Sequence, residues 1–178
     1  TVISYRGVAN SIVIPDGVVC IGGGAFYNLG IVKSITIPAS VKSIESGAFE
    51  LCYSLSSIDF GTGIVTIGNG AFSECFGLTA IIIPNSVTSI GSGAFNRCSS
   101  LSSIGSPENV TYIGEEAFHY TEWYQNQPDG ALYIGKVLYE YIGEMPAETS
   151  FVIKEGTTHI CQAAFMNCKG LMSVTIPN

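Results

Sequence analysis

Apolar residues recur along this chain with a fixed step of 23 residues, and polar residues fill most positions between them. The step is clearest in an Ala-Phe pair, and an isoleucine stands five residues before each phenylalanine. A constant step of this length predicts a solenoid, in which each repeat forms one rung of a stacked core. The phenylalanines of the series are Phe26, Phe49, Phe72, Phe95, Phe118 and, after a gap of 47 residues, Phe165.

Residues 67–90 contain the elements expected in one rung. Two glycines predict a turn, and residues 71–76 then predict one or two helical turns with apolar side chains facing inward. Residues 79–83 alternate as a strand does, and Pro84 ends that strand because proline has no N–H to donate. The predicted fold is an α/β repeat solenoid, right-handed, with about six to seven rungs, short helices and a parallel β-sheet.

Strand positions that point away from the core predict two exposed columns. The first column contains Val13, Thr36, Asp59, Ile82, Gly105 and Thr175, and the second contains Ser11, Ser34, Ser57, Ala80, Ser103 and Ser173. This face is mostly neutral and carries no catalytic group. We therefore expect this face to contact a ligand rather than to catalyse a reaction, and the candidate ligand contacts are Thr36, Asp59 and Ile82.

The rhythm breaks once, between Phe118 and Phe165, and we expect an aromatic β-hairpin insertion at residues 119–150. Residues 131–141 predict a hairpin that turns at Gly135-Lys136. The segment holds the single tryptophan and several tyrosines, which either pack the hairpin onto the solenoid or form an exposed contact surface. The candidate contacts in it are Trp123, Tyr124, Tyr133 and Tyr139.

Composition and charge narrow the possible partners. The chain is 47% hydrophobic and 12% charged, with a net charge of -7 and seven Lys and Arg residues. Because it lacks a basic cluster, we expect no nucleic-acid partner and no attraction to anionic membranes. The apolar runs are too short for a transmembrane helix.

Residues 1–178 are expected to be a single domain. The chain starts on a predicted strand at residues 1–5, shows no signal peptide and stops within a repeat. We therefore expect a fragment of a longer protein.

Candidate chemistry is sparse. Four cysteines share one repeat position, and we interpret them as buried structural thiols, although neighbouring rungs would place them near disulfide distance. Short-spaced metal-ligand pairs are missing, so we expect no metal and no cofactor. The histidines, His119 and His159, lack a sequence context for nucleophilic catalysis, and the carboxylates are scattered, so we expect no enzyme activity. The four cysteines are Cys52, Cys75, Cys98 and Cys168.

The repeats resemble the BspA-type, or Treponema-type, leucine-rich repeats over nearly the whole chain. The resemblance is carried by the unit Ile-Gly-Asn-Gly-Ala-Phe-Ser-Glu-Cys at residues 67–75 and by Ile-Pro-Asn-Ser-Val at residues 83–87. The insertion is similar to an element of such proteins from gut bacteria. Phe60 and Gly61 depart from the pattern, since they stand where other units carry Ile-Pro, and we expect this drift to leave the fold intact.

The resemblance implies a secreted or cell-surface bacterial protein that adheres to host matrix, host cell-surface or bacterial proteins. We therefore expect a non-catalytic protein-binding module that presents an extended surface. Two alternatives stay open. The chain could be a structural spacer within a large surface protein, or a carbohydrate-binding module that uses the aromatic insertion.

Overall fold

The computed structural model describes residues 9–105 and 107–177, so the strand predicted at residues 1–5 lies outside the described residues. The described residues form a β-solenoid of about seven turns built from short strands and one short helix. In chain order the elements are β1 (Ser11–Val13), β2 (Cys20–Ile21), β3 (Ser34–Thr36), β4 (Ser43–Ile44), β5 (Ser57–Asp59), β6 (Thr66–Ile67), β7 (Ala80–Ile81), β8 (Ser89–Ile90), β9 (Ser103–Ile104), β10 (Tyr112–Ile113), α1 (Glu122–Gln125), β11 (Gly130–Ile134), β12 (Val137–Ile142), β13 (Thr149–Val152), β14 (His159–Ile160) and β15 (Leu171–Thr175).

Parallel strands run along two sides of the solenoid, and most rungs contribute one strand to each side. We call the strands of one side the first sheet and those of the other side the second sheet. The first sheet consists of β1-β3-β5, β7-β9 and β13-β15, and the second contains β10-β8-β6-β4-β2 together with the pair β12-β14. Ser11 pairs with Ser34, and Ser34 pairs with Ser57, so the register steps by the 23 residues of the sequence repeat. The predicted rung spacing and the parallel sheets are therefore confirmed.

The core is a continuous ladder of phenylalanine rings. Successive rings from Phe26 to Phe118 lie 4.9–5.4 Å apart between centroids, within 7° of parallel. Inward isoleucines from both sheets enclose the ladder. Because every rung places the same side chain at the same position, each ring is covered by the rungs on either side.

The short helices predicted for each rung are wrong. In residues 71–75 the backbone amides alternate between two kinds of acceptor. Ala71 N donates to Gly68 O within the rung, whereas Phe72 N donates to Ala94 O of the next rung, 2.8 Å away. Glu74 adopts a φ of +59°, which an α-helix excludes. Hydrogen bonding between rungs therefore replaces the i to i−4 ladder, and the segment is a series of turns.

The segment 119–150 is only partly an insertion. Strands β11 and β12 pair antiparallel through Gly135-Lys136, but β12 also pairs in parallel with β14. Tyr141 N donates to Ala164 O at 2.7 Å, as Phe95 N donates to Ala117 O at 2.8 Å in a regular rung. Tyr141 thus lies where a rung carries its phenylalanine. The parts that depart from the solenoid are α1, close to where the first-sheet strand would begin, and the added strand β11.

Candidate binding surface

The outer face of the first sheet is exposed, as the alternation of the strands predicts. Val13, Thr36, Asp59 and Ile82 point outward, and Ile82 is 79% exposed. Gly105 is half-buried, so the column is less open there. Three of the predicted contacts, Thr36, Asp59 and Ile82, therefore lie side by side on consecutive rungs.

The column beside it is built of small hydroxyl side chains. Ser34 Oγ donates to Ser11 Oγ at 2.8 Å, and Ser173 Oγ donates to Ser150 Oγ at 3.0 Å. Ser150 and Val152 extend the two columns on β13, paired with Ser173 and Thr175. Sequence reasoning missed both, because the break in the repeat hid their phase; the Ser-x-Val spacing would have been the signal.

The first sheet is interrupted between β5 and β7. Ile37 N donates to Asp59 O at 2.9 Å, but no equivalent bond joins Phe60 N to Ile82 O among the described residues. Phe60 stands in an isoleucine column and its ring meets the edge of Phe72 at 5.6 Å between centroids. Phe60 and Gly61, which depart from the repeat pattern, thus leave the fold intact, but they coincide with the break in the first sheet.

A shallow depression of about 440 Å³ lies at this break, with Asp59, Phe60, Ile82 and Pro84 among its lining residues. A second depression of about 500 Å³ adjoins it on the Asp59 side and includes Asp16. We call the two together the Asp59 groove. It is mainly apolar, and both aspartates are exposed.

Tyr139 is not a contact residue, contrary to the sequence-based expectation. Its side chain is 3% exposed, and its hydroxyl accepts a hydrogen bond from Phe118 N at 3.2 Å. The pairing of β12 with β14 fixes this position, because it places Tyr139 inside the rung.

The other three candidate contacts of this segment are half-buried and packed against the core. Trp123 meets the edge of Phe118 at 5.5 Å between centroids, and Tyr124 Oη donates to Glu140 Oε2 at 2.8 Å. Tyr133 Oη accepts from Lys154 N at 3.0 Å. The packing alternative therefore accounts for the main contacts of all three side chains.

Glu140 is the centre of a polar cluster beneath the insertion. His119 Nε2 lies 2.7 Å from Glu140 Oε2, on the same oxygen that accepts the Tyr124 hydroxyl. Burial would raise the pKa of Glu140, but the hydrogen bonds from His119 and Tyr124 outweigh it and hold that pKa below the usual 4.5. The carboxylate stays ionised and is occupied by two donors, so it serves to attach the insertion to the solenoid.

The four buried cysteines donate hydrogen bonds to backbone carbonyl groups. Cys52 Sγ donates to Phe26 O at 3.2 Å, and Cys75 and Cys98 make the same contact one and two rungs on. The contact with the Cys75 thiol and burial both raise the pKa of Cys52, and burial raises the pKa of Cys161 to about 12. All six cysteines are free thiols. Within residues 9–105 and 107–177, no group of three or more His, Cys, Asp or Glu side chains is placed to hold a metal ion.

Comparison with known proteins assigns the family. Residues 5–124 and 134–178 match the BspA type leucine rich repeat region in six copies. The chain therefore belongs to the BspA-type leucine-rich-repeat family. The unmatched residues 125–133 coincide with the end of α1 and most of β11, where the rung pattern is lost.

Solved structures of bacterial leucine-rich-repeat proteins share the fold. A leucine-rich-repeat protein of T. pallidum is 26% identical with a TM-score of 0.68, over 96% of this chain and 71% of that one. A leucine-rich cell-surface protein of Faecalibacterium prausnitzii is 27% identical with a TM-score of 0.54, over 97% and 49% of the two chains. The pneumococcal vaccine antigen PcpA is 19% identical with a TM-score of 0.59, over 99% of this chain and 43% of that one.

The comparison with curated proteins found no match. The described part of the chain holds no helix with the length and apolar character needed to cross a bilayer.

Proposed function

We propose that this chain is a non-catalytic, extracellular protein-binding module of a bacterial surface protein. It binds through the outer face of the first sheet, and its ligands are host matrix, host cell-surface or bacterial surface proteins. Nucleic acids and membrane insertion are not part of the proposal, since the chain is acidic with few cationic residues. The description of one relative, 27% identical, as a cell-surface protein supports the location.

The observation that carries the proposal is the exposed aliphatic side chain on a flat, otherwise small-residue face. Ile82 is 79% and Val13 is 70% exposed, beside a column made mostly of serine side chains. A strand position that faces water is usually polar, so large aliphatic groups there favour a surface that is covered by a partner. The repeats hold this face in an extended, regular array, which is what solenoid surfaces provide for binding.

The chemistry of the polar side chains supports the absence of catalysis. Glu140 is occupied by His119 and Tyr124, and burial keeps the Cys161 thiol protonated near neutral pH because its pKa is about 12. Neither Glu140 as a base nor the Cys161 thiol as a nucleophile is therefore free for catalysis.

Biolayer interferometry against fibronectin, fibrinogen, laminin, collagen and a glycan panel tests the proposal. The Ile82→Asp variant is compared with Val65→Asp, which adds the same charge at a 39% exposed position beside the second sheet. We expect saturable binding to at least one protein, and we expect Ile82→Asp to weaken it at least about tenfold while Val65→Asp leaves it within about twofold.

Other outcomes would contradict the proposal. Binding to glycans that Trp123→Ala removes would favour a carbohydrate-binding module. The absence of binding to every protein and glycan of the panel would favour a structural spacer.

A further inference from the structure

The Asp59 groove combines an apolar floor with unpaired negative charge. Its lining residues include two carboxylates, Asp16 and Asp59, and no lysine, arginine or histidine. Neither aspartate takes part in a salt bridge or side-chain hydrogen bond among the described residues. The two carboxylates are thus not paired with a cation among the described residues, and a lysine approaches the groove at Gly63, where Lys42 Nζ lies beside the backbone.

We propose that this groove binds an extended, cationic segment of a protein partner, in which lysine or arginine residues alternate with aliphatic ones. The inference rests on the proposed function, because it assigns a chemistry to the partner of the same sheet face. A basic side chain meets the Asp59 carboxylate, and its methylene stem lies along Ile82.

The break in the sheet makes this position different from the other rungs. Glycines at 61 and 63 let the chain after β5 lie directly on the preceding rung, since a β-carbon on either one would collide with the carbonyl oxygen of Ile37 or of Ala39. Strands β5 and β7 are not hydrogen-bonded to each other, whereas β5 is paired with β3. Asp59 and Ile82 therefore flank a depression rather than standing on a closed sheet.

The charge pattern selects a peptide cation over a metal ion. A divalent cation requires several oxygen ligands at one point, and the described residues hold no such cluster. The groove instead places single carboxylates beside apolar surface that includes Pro15, Pro38 and Pro84. That mixture fits side chains whose charged end and aliphatic stem are both accommodated, and it disfavours acidic partners, which the net charge of -7 also repels.

A labelled peptide titration tests the inference on the whole chain. The probe is a capped peptide of sequence Thr-Lys-Val-Lys-Val-Lys-Thr, and its counterpart carries glutamate in place of lysine. Fluorescence anisotropy gives the affinity, and amide shifts in ¹⁵N-labelled protein locate the site. The Asp59→Asn variant is compared with Glu115→Gln, which removes the same charge from an exposed turn outside the groove.

We expect the cationic peptide to bind and to shift amides of β5 and β7. Asp59→Asn should weaken binding about tenfold, close to the lower end of the range for a hydrogen bond to a charged group, whereas Glu115→Gln should change it less than about twofold. Raising the salt from about 0.15 M to about 1 M should weaken binding, and the acidic peptide should not bind.

Three results would overturn the inference: no saturable binding below about 1 mM peptide, equal losses in Asp59→Asn and Glu115→Gln, or equal binding of the acidic peptide. The proposed function has a separate test. A protein ligand whose binding is lost in Ile82→Asp but unchanged in Asp59→Asn would refute the binding of a cationic segment in the Asp59 groove and leave the sheet-face proposal standing. Failure of the unmodified chain to bind any protein of the panel refutes the proposed function itself.

Discussion

Each phenylalanine of the repeat lies face to face with the phenylalanines of the rungs on either side. Phe72 is fully buried, stacks on Phe49 and Phe95 at 5.1 and 5.3 Å, and receives the ring of Phe60 at its edge. Each of these phenylalanines thus makes contacts that join three successive rungs. The free energy of burying each ring is shared with its neighbours, so a missing ring leaves a cavity that three rungs line.

Replacing Phe72 by alanine should therefore lower the free energy of unfolding by about 3–5 kcal/mol. The control is Phe76→Ala, since Phe76 is 38% exposed and stacks on Tyr53 at the surface; its loss should cost about 1 kcal/mol. Urea unfolding followed by far-UV circular dichroism measures both variants. Equal losses would show that the ladder is not the core of the fold.

Glu140 makes the attachment of the insertion dependent on pH. Its pKa is lower in the folded chain than the usual 4.5, so the stability it contributes is present above that value and is lost as the pH falls through the folded pKa. Glu140→Gln should lower the free energy of unfolding by about 1–3 kcal/mol near neutral pH, because the ionised acceptor of two hydrogen bonds is removed.

The difference between Glu140→Gln and the unmodified chain should shrink as the pH falls below 4.5 and vanish below the lowered pKa of Glu140 in the folded chain, where the carboxyl is protonated in both states. Thermal unfolding measured across the acid range checks this, with Glu108→Gln at an exposed position as the control. A difference that persists unchanged in acid would mean that Glu140 acts through packing rather than through its charge.

At the scale of elements, the added strand β11 depends on how closely its turn approaches the solenoid. Gly135 adopts a φ of +59°, and a β-carbon there would lie 2.7 Å from the carbonyl oxygen of Pro107. Gly156 also has a positive φ, of 79°, but a β-carbon there would meet nothing within 4 Å. Both glycines therefore adopt a left-handed backbone conformation, but only at Gly135 would a β-carbon collide with a neighbouring residue.

Alanine at Gly156 should cost about 1 kcal/mol, the strain of a left-handed residue. Alanine at Gly135 should cost at least about 1 kcal/mol more, because either the Pro107 turn or the hairpin must move. Chemical unfolding of the two single variants separates the cost of the left-handed backbone conformation from the cost of the contact with Pro107. If Gly156→Ala were the more damaging change, the proposed docking of the hairpin on the Pro107 turn would be wrong.

Local periodicity was sufficient to predict some features and insufficient for others. The 23-residue step predicted the ladders and the outward positions of Thr36, Asp59 and Ile82, because identical rungs repeat identical environments. It could not exclude helices at residues 71–76, since inward positions four residues apart fit a helix as well as a series of turns. The burial of Tyr139 depends on the pairing of β12 with β14, a contact between distant residues that no local pattern specifies.

For the whole molecule, the repeats place one row of outward side chains at a constant spacing along the first sheet. Thr36 and Asp59 lie on paired strands, which are about 4.8 Å apart, and Ile82 follows on the next rung, across the break between β5 and β7. The Asp59 groove and the column of exposed aliphatic side chains are parts of this one surface. The second sheet and the insertion serve the core, because the insertion aromatics Trp123, Tyr124 and Tyr139 pack inward.

Hydrogen–deuterium exchange of the chain, free and saturated with its tightest-binding protein ligand, tests the use of this surface most directly. Binding through the first sheet should slow exchange in residues 34–37, 57–60 and 80–83, and leave residues 65–67 of the second sheet and the hairpin at residues 130–142 unchanged. Protection confined to the second sheet or to the hairpin would contradict the account and would move the binding surface to that part of the solenoid.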